Sequence, residues 1–333
     1  MECHSCLMLE IIYKVKLKGT ENLSMMQNIV NHLKRRNLWV KVEDEHLEIK
    51  ESGIREFLDF CEVHMETEKI FFRIDNLPWN PLRDIQQYIQ AGWIDEVIRK
   101  KLITCHFQPI VDRKENIYAY ELLARFQHED GSTIYPNEIF TAAKKRGRLY
   151  ALDRLCRLTA VQHSTKIDTI AFINFIPTSI YSPEFCLKST ISLANQLGIN
   201  PNRFVFEVVE TEQVEDLDHL KNILTYYRDK GFQYALDDVG EGFSTIDTLA
   251  HLQPRYMKLD MKYVQGVAFD PHKQQTAQSF LEKAIEIGST PLAEGVETRE
   301  DFNWLKQIGY ELFQGYLFGK PAATPIGFKE VDS

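Results

Sequence analysis

The chain has 333 residues, 39 Lys and Arg against 48 Asp and Glu, a formal net charge of −9 and 44% hydrophobic residues. That length suits two ordinary domains, or a barrel with a smaller partner, and the acidic balance argues against duplex DNA as the main partner. Counts of 16 Gly and 12 Pro exclude a low-complexity chain.

No segment reaches the roughly eighteen uninterrupted apolar residues of a membrane span. The opening "MECHSCLMLEIIYKVKLKG" has no basic stretch ahead of its apolar one, so no secretory signal is expected. Six cysteines in a chain this long do not make a disulfide framework. The expectation is a reduced, soluble, cytoplasmic protein.

Residues 1–76 alternate strand and helix on a short period. "LEIIYKVKL" reads as a strand. "ENLSMMQNIVNHLKRR" reads as an amphipathic helix with Leu23, Met26, Ile29, Val30 and Leu33 on its apolar face. "LWVKVEDEHLEIK" alternates with period two around Glu43-Asp44-Glu45, as a hairpin does; "GIREFLDFCEVH" is helical and "KIFFRID" a strand. The order βαββαβ predicts a small α+β unit of the ferredoxin-like kind, acting in dimerisation, partner binding or input. Cys3, Cys6, Cys61 and His64 have a zinc-like donor set, although a buried Cys61 in the core explains one of them equally well. The basic "HLKRR" (His32 to Arg36) suits an acidic partner or an ordinary solvated helix face.

"NLPWNPL" breaks the pattern with two prolines, and residues 77–104 read as a linker and a helix. From Cys105 the units lengthen into strand–helix repeats. The strands are "HFQPIV", "AYELLARF", "IAFINFI", "RFVFEVVE", "QYALDDV", "YMKLD", "TPLAEGVE" and "LFQGYLFG". Eight of them with helical intervals predict an α/β fold, a (β/α)₈ barrel over 105–328 with a short tail at 329–333. A doubly wound sheet fits the spacing less well, because no G-x-G-x-x-G turn follows the first strand.

Polar residues fall late in these strands: Glu121, Asn174, Glu207, Glu210, Asp237, Asp238, Lys258, Glu294 and Gln314. Each alone has an ordinary structural reading. Together, in a barrel, they converge on the carboxyl-terminal mouth, where such folds do their chemistry. Oxygen donors without Cys or His point to Mg²⁺ or Mn²⁺ rather than zinc. Two such ions about 3.5–4 Å apart suit phosphoester hydrolysis. The adjacent carboxylates of Asp237 and Asp238 then have the cation they need.

The pieces "FQPIV", "ELLAR", "FINF", "FEVVE", "LDDVGEGFST", "MKLD", "LAEGVE" and "FQGYLFGKP", in this order, resemble the EAL domain, the bacterial cyclic di-GMP phosphodiesterase module. The name-giving triplet reads Glu121-Leu122-Leu123. The resemblance implies a modified barrel whose first strand runs against the others, and two-metal hydrolysis of cyclic di-GMP to linear pGpG. By the same likeness Glu121, Asn174, Glu207 and Asp237 ligate metal, and Asp238 the second ion. Glu294 holds a water on the metal or acts as general base, and Lys258 contacts the attacking water. Arg125, Gln108 and Gln314 face substrate, Gln314 also completing the polar shell, and Glu210 anchors the loop after the fifth strand. A homodimer is implied as well.

Where the family's loop usually reads DDFGTGYSS, this chain has Val239 and Glu241, and Val209 precedes Glu210 in place of a threonine. These changes leave two functions from different classes, a hydrolase and a receptor that binds cyclic di-GMP without cutting it. A different metal-dependent barrel enzyme remains only if the likeness is accidental. No GG(D/E)EF motif is present, so synthesis of the nucleotide is not expected.

Overall fold

The computed structural model describes residues 10–43, 46–75, 77–176, 184, 187–208, 217–240 and 244–327. The chain divides into two compact units, Met1–Lys101 with Ile134–Leu152, and Leu102–Thr133 with Asp153–Ser333.

In the first unit, strands β1 (Ile12–Leu17), β2 (Val40–Glu43), β3 (His46–Lys50), β4 (Ile70–Ile74) and the two-residue β5 (Asn80–Pro81) form one sheet in the order β2-β3-β1-β4-β5. Every neighbouring pair is antiparallel. With helices Met26–Arg35 and Glu51–His64 between the strands, this is the βαββαβ arrangement expected from the alternation, and the order β4-β1-β3-β2 is the ferredoxin-like one. Alternation does the sorting: Tyr13, Val15 and Leu17 point into the core with Leu47, Phe72 and the helical Ile29, Leu33 and Phe57. Leu23 departs from its expected place. It lies in a separate short helix, Thr20–Ser24, and is 49% exposed.

Cys61 is fully buried, and its Sγ lies 3.6 Å from the Met65 sulfur. Burial pushes its thiol up to about 12, as for a core cysteine. The neighbouring His64 packs its ring at a tilt against Phe60, centroids 4.7 Å apart. Cys3 and Cys6 lie outside the described residues.

This unit also contains a buried cation. Arg146, just past helix Pro136–Lys145, is 1% exposed. Its guanidinium donates to both Glu51 oxygens at 2.6 and 2.8 Å, to Asp95 at 2.5 Å and to the Tyr13 hydroxyl at 3.2 Å. Arg148 donates to the other Asp95 oxygen at 2.7 Å. Two guanidinium groups thus face two carboxylates in forked geometry.

The second unit is the barrel. Strands β6 (Ile103–Asp112), β7 (Ile117–Gln127), β9 (Ile170–Phe175), β10 (Phe204–Val208), β11 (Gln233–Val239), β12 (Tyr256–Leu259), β13 (Thr290–Ala293) and β14 (Leu312–Gln314) follow one another, with the two-residue β8 (Thr133–Ile134) after β7. Their order β6-β14-β13-β12-β11-β10-β9-β7 closes through a β6–β7 pairing. β6 is antiparallel to both its neighbours, whereas every pair from β7 round to β14 is parallel. The reversed first strand is the one the family likeness implies. One residue from each strand fills the interior: Ile110, Ala119, Phe172, Val205, Ala235, Tyr256, Leu292 and Leu312. Among the described residues no helix is long and apolar enough to cross a membrane.

Candidate active site at the barrel mouth

Side chains on a strand return to the same face every second residue. Two steps beyond each apolar residue of the interior layer, toward the carboxyl ends of the parallel strands, stand Glu121, Asn174, Glu207, Asp237, Lys258, Glu294 and Gln314. On the reversed β6 the same level is reached two residues earlier, at Gln108, which pairs in register with Glu121. The barrel therefore carries an apolar floor of eight residues and, directly above it, a polar ring of eight. This pleat geometry gathers side chains separated by up to 206 positions in sequence.

The ring is tightly knit. Glu121 accepts from Asn174 Nδ2 at 2.9 Å and from Gln314 Nε2 at 2.5 Å. Lys258, 1% exposed, places its ammonium on Glu207, 2.8 Å from Asp237 and 2.5 Å from Glu294. Burial opposes the charge on Glu121, but Lys258 and the amides of Gln314 and Asn174 hold its carboxyl below the usual range. Glu207 is pushed well up by burial and then by the charge of Glu121. Glu294 is pushed well up by burial and by Asp237. Burial alone would strip the proton from Lys258, yet Asp237, Glu207 and Glu294 keep it firmly charged.

Adjacent strand residues point to opposite faces, so Asp237 and Asp238 converge only because β11 breaks its pleat. The register to β12 shifts between Leu236 and Val239, and Asp238 takes φ 49°. Asp tolerates this left-handed conformation better than most residues, at a cost on the order of 1 kcal/mol. The result brings oxygens of Asp237, Asp238 and Glu294 within 4.8 Å of one another, and likewise those of Glu121, Glu207 and Glu294. Burial, then the neighbouring Asp237, raises Asp238 to about 7. Gly295 follows Glu294 at φ +65°, where a Cβ would lie 2.4 Å from that of Met261, so only glycine lets the chain turn there.

Sequence reasoning missed Asp260, which closes the turn after β12. Its carboxyl bonds Asp238 and also accepts from the Lys262 amide at 2.6 Å. The signal was present two residues past Lys258, the same-face spacing that marks the rest of the ring. Arg125 stands four residues beyond Glu121 on the same face of β7, opposite Thr104, with Nη1 on the Ala124 carbonyl at 2.9 Å. Glu210, Val209 and Glu241 lie outside the described residues.

Four carboxylates and one ammonium leave this ring with excess negative charge in a dry setting. Such a cluster needs further cations or protons. Gln314 Oε1 is buried and finds no hydrogen-bond donor, which leaves it free to face a cation. An all-oxygen donor set of this kind fits hard divalent ions.

A family model described as the EAL domain matches residues 91–321. The chain is 29% identical over 238 residues to the probable cyclic di-GMP phosphodiesterase PdeG of Escherichia coli K12, covering 68% of this chain and 47% of that protein. It is 25% identical over 224 residues to the blue light- and temperature-regulated antirepressor BluF of the same organism, covering 66% and 54%. The chain thus spans about half the length of each of these relatives. Among solved structures, a standalone EAL protein from Vibrio cholerae O395 in its c-di-GMP bound form superposes with TM-score 0.60 at 33% identity, covering 69% of this chain and 98% of that one. With the family model spanning the barrel, the chain belongs to the EAL domain family.

Proposed function

We propose that the barrel hydrolyses cyclic di-GMP to linear pGpG at the polar ring, with Mg²⁺ or Mn²⁺ held by Glu121, Asn174, Glu207, Asp237 and Asp238. The observation that carries this reading is the excess of buried carboxylates over the single ammonium of Lys258. Bound divalent ions supply charge neutralisation of the phosphodiester and a lowered pKa for attacking water.

The chain's own residues do the rest. Glu294, whose carboxylate lies 2.5 Å from the Lys258 ammonium, acts as general base and takes the proton from water as its oxygen bonds to phosphorus. The bond from phosphorus to one ribose oxygen breaks, and the departing oxygen takes up a proton from solvent water. Lys258, charged and locked among three carboxylates, orients the water and prevents the acids from collapsing apart. Arg125 grips a non-bridging phosphate pair with its forked donors, while Gln108 and Gln314 position the nucleotide over the floor.

A receptor that binds without cutting is the second reading. It is favoured by Val239, which is fully buried beside Leu259 where the family's loop carries an aromatic, and by a relative named as an antirepressor. Incubation of purified protein with cyclic di-GMP and Mn²⁺, followed by chromatography for pGpG, separates the two. Product formed by the wild type and abolished in Glu121→Ala supports hydrolysis. Saturable nucleotide binding with no product in any divalent ion supports the receptor.

A further inference from the structure

We propose that the face of the amino-terminal sheet turned away from its helices is a platform for single-stranded nucleic acid. Helices Met26–Arg35 and Glu51–His64 both pack on one face, against Tyr13, Leu47 and Phe72. The alternate residues of the same strands form the other face. Pairing fixes their rows: Lys41, Glu48, Lys14 and Arg73 line up across β2, β3, β1 and β4, and Lys16 pairs with Phe71 in the next row.

Two properties set this face apart. The first is charge. Among the described residues, Lys14, Lys16, Lys18, Lys41, Lys50 and Arg73 share it with Glu43 and Glu48, which pair with Lys41 and Lys14, and Glu10 borders it 3.5 Å from Lys50. The chain as a whole carries more acids than bases, so this face reverses the overall sign. The second is aromatic content. Trp39, Phe71 and Trp79 lie here, and each has a cation over its ring: Lys50 at 5.8 Å, Lys18 at 4.5 Å and Arg73 at 4.7 Å. Trp39 and Trp79 are 39% and 36% exposed.

Cations beside flat rings on an antiparallel sheet suit unpaired bases. The rings and guanidinium stack on base faces, the ammonium groups meet phosphates, and the sheet keeps the strand extended. A duplex hides its base faces and offers no such match. An acidic peptide would use the charge but leave the rings unused. The face is therefore assigned to single-stranded nucleic acid.

The test uses the full chain and 5′-labelled twelve-nucleotide single strands of RNA and of DNA, followed by fluorescence anisotropy at low salt. Saturable binding is expected, with quenching of tryptophan emission. The affinity should fall with salt at a logarithmic slope of about −3, as for four phosphate contacts. Lys16→Glu with Lys41→Glu should weaken binding at least about tenfold, and Trp79→Ala by a similar factor. Lys41 is 57% exposed, so Lys41→Glu alone keeps the fold and still lowers affinity. Lys34→Glu with Arg35→Glu, on the helical side, should leave binding unchanged. RNA tighter than DNA assigns the natural strand to RNA, and the reverse to DNA. No binding of either strand at low salt overturns the proposal, as does equal weakening by the sheet and helix variants. Binding of phosphatidylserine vesicles without binding of oligonucleotides overturns it in favour of a membrane surface.

Discussion

Among the described residues three cations are almost completely buried: Arg157, paired with Asp153, and the two that contrast most, Arg146 in the amino-terminal unit and Lys258 in the barrel, each 1% exposed. Around Arg146 the signs balance: Glu51 and Asp95 face Arg146 and Arg148, and a tyrosine hydroxyl completes the set. Around Lys258 they do not, since Glu121, Glu207, Asp237 and Glu294 share one ammonium. A balanced buried cluster has no further demand and serves architecture. An unbalanced one is an open valence for cations, and in a barrel mouth that is a place for chemistry.

The comparison breaks most visibly on substitution of the two cations. Arg146→Ala leaves two buried carboxylates without their main partner, and denaturant unfolding should show a loss of about 3–5 kcal/mol. Per folded molecule, nucleotide turnover should be unaffected. A drop in turnover without a drop in stability would refute the architectural role. Lys258→Met should act the other way, lowering turnover by at least about 100-fold. It should also enlarge the rise in melting temperature produced by Mg²⁺, because divalent ions then supply all the compensating charge.

Acid-to-amide changes sharpen the contrast on a smaller scale. Glu51→Gln removes half of a satisfied pair and should lower stability. Glu207→Gln removes a charge that burial and Glu121 already disfavour, and in EDTA it should raise stability. Loss of stability in both variants would mean that the barrel cluster is balanced after all.

The same logic made some features legible in sequence and hid others. The eight barrel strands and the βαββαβ unit show in hydrophobic periodicity, because one face of each strand must be buried. The ring was visible because each strand carries a polar residue at its end. The common level of those residues, two steps above Ile110, Ala119 and their neighbours, needs the register that only closure provides. The pleat break that turns Asp238 toward Asp237 was announced by the paired carboxylates but not explained by them. Asp260 was missed although it lies two residues past Lys258. The Arg146 centre was illegible, since Tyr13, Glu51, Asp95 and Arg146 are drawn together from separate segments with no local pattern to mark them.

A pH dependence is expected as well. Asp238 has an ordinary value of 3.8 and is raised to about 7, so the folded state holds its proton where the unfolded chain has lost it. That contribution to stability is complete below pH 4 and disappears as pH rises through 7. Without metal, the melting temperature of wild type relative to Asp238→Asn should therefore fall across this window. Divalent ions compete with the proton and should reverse the trend; a flat difference from pH 4 to 7 would contradict the raised value.

The most direct measurement of the central claim is equilibrium dialysis of the nucleotide-free protein against Mn²⁺ at neutral pH. Saturable uptake of one or two ions per chain, lost in Glu121→Ala and retained in Arg146→Ala at temperatures where that variant is folded, is the predicted result. A wild type that takes up no Mn²⁺ beyond its Glu121→Ala variant would show that Lys258 and bound protons already satisfy the ring, and the account would fail.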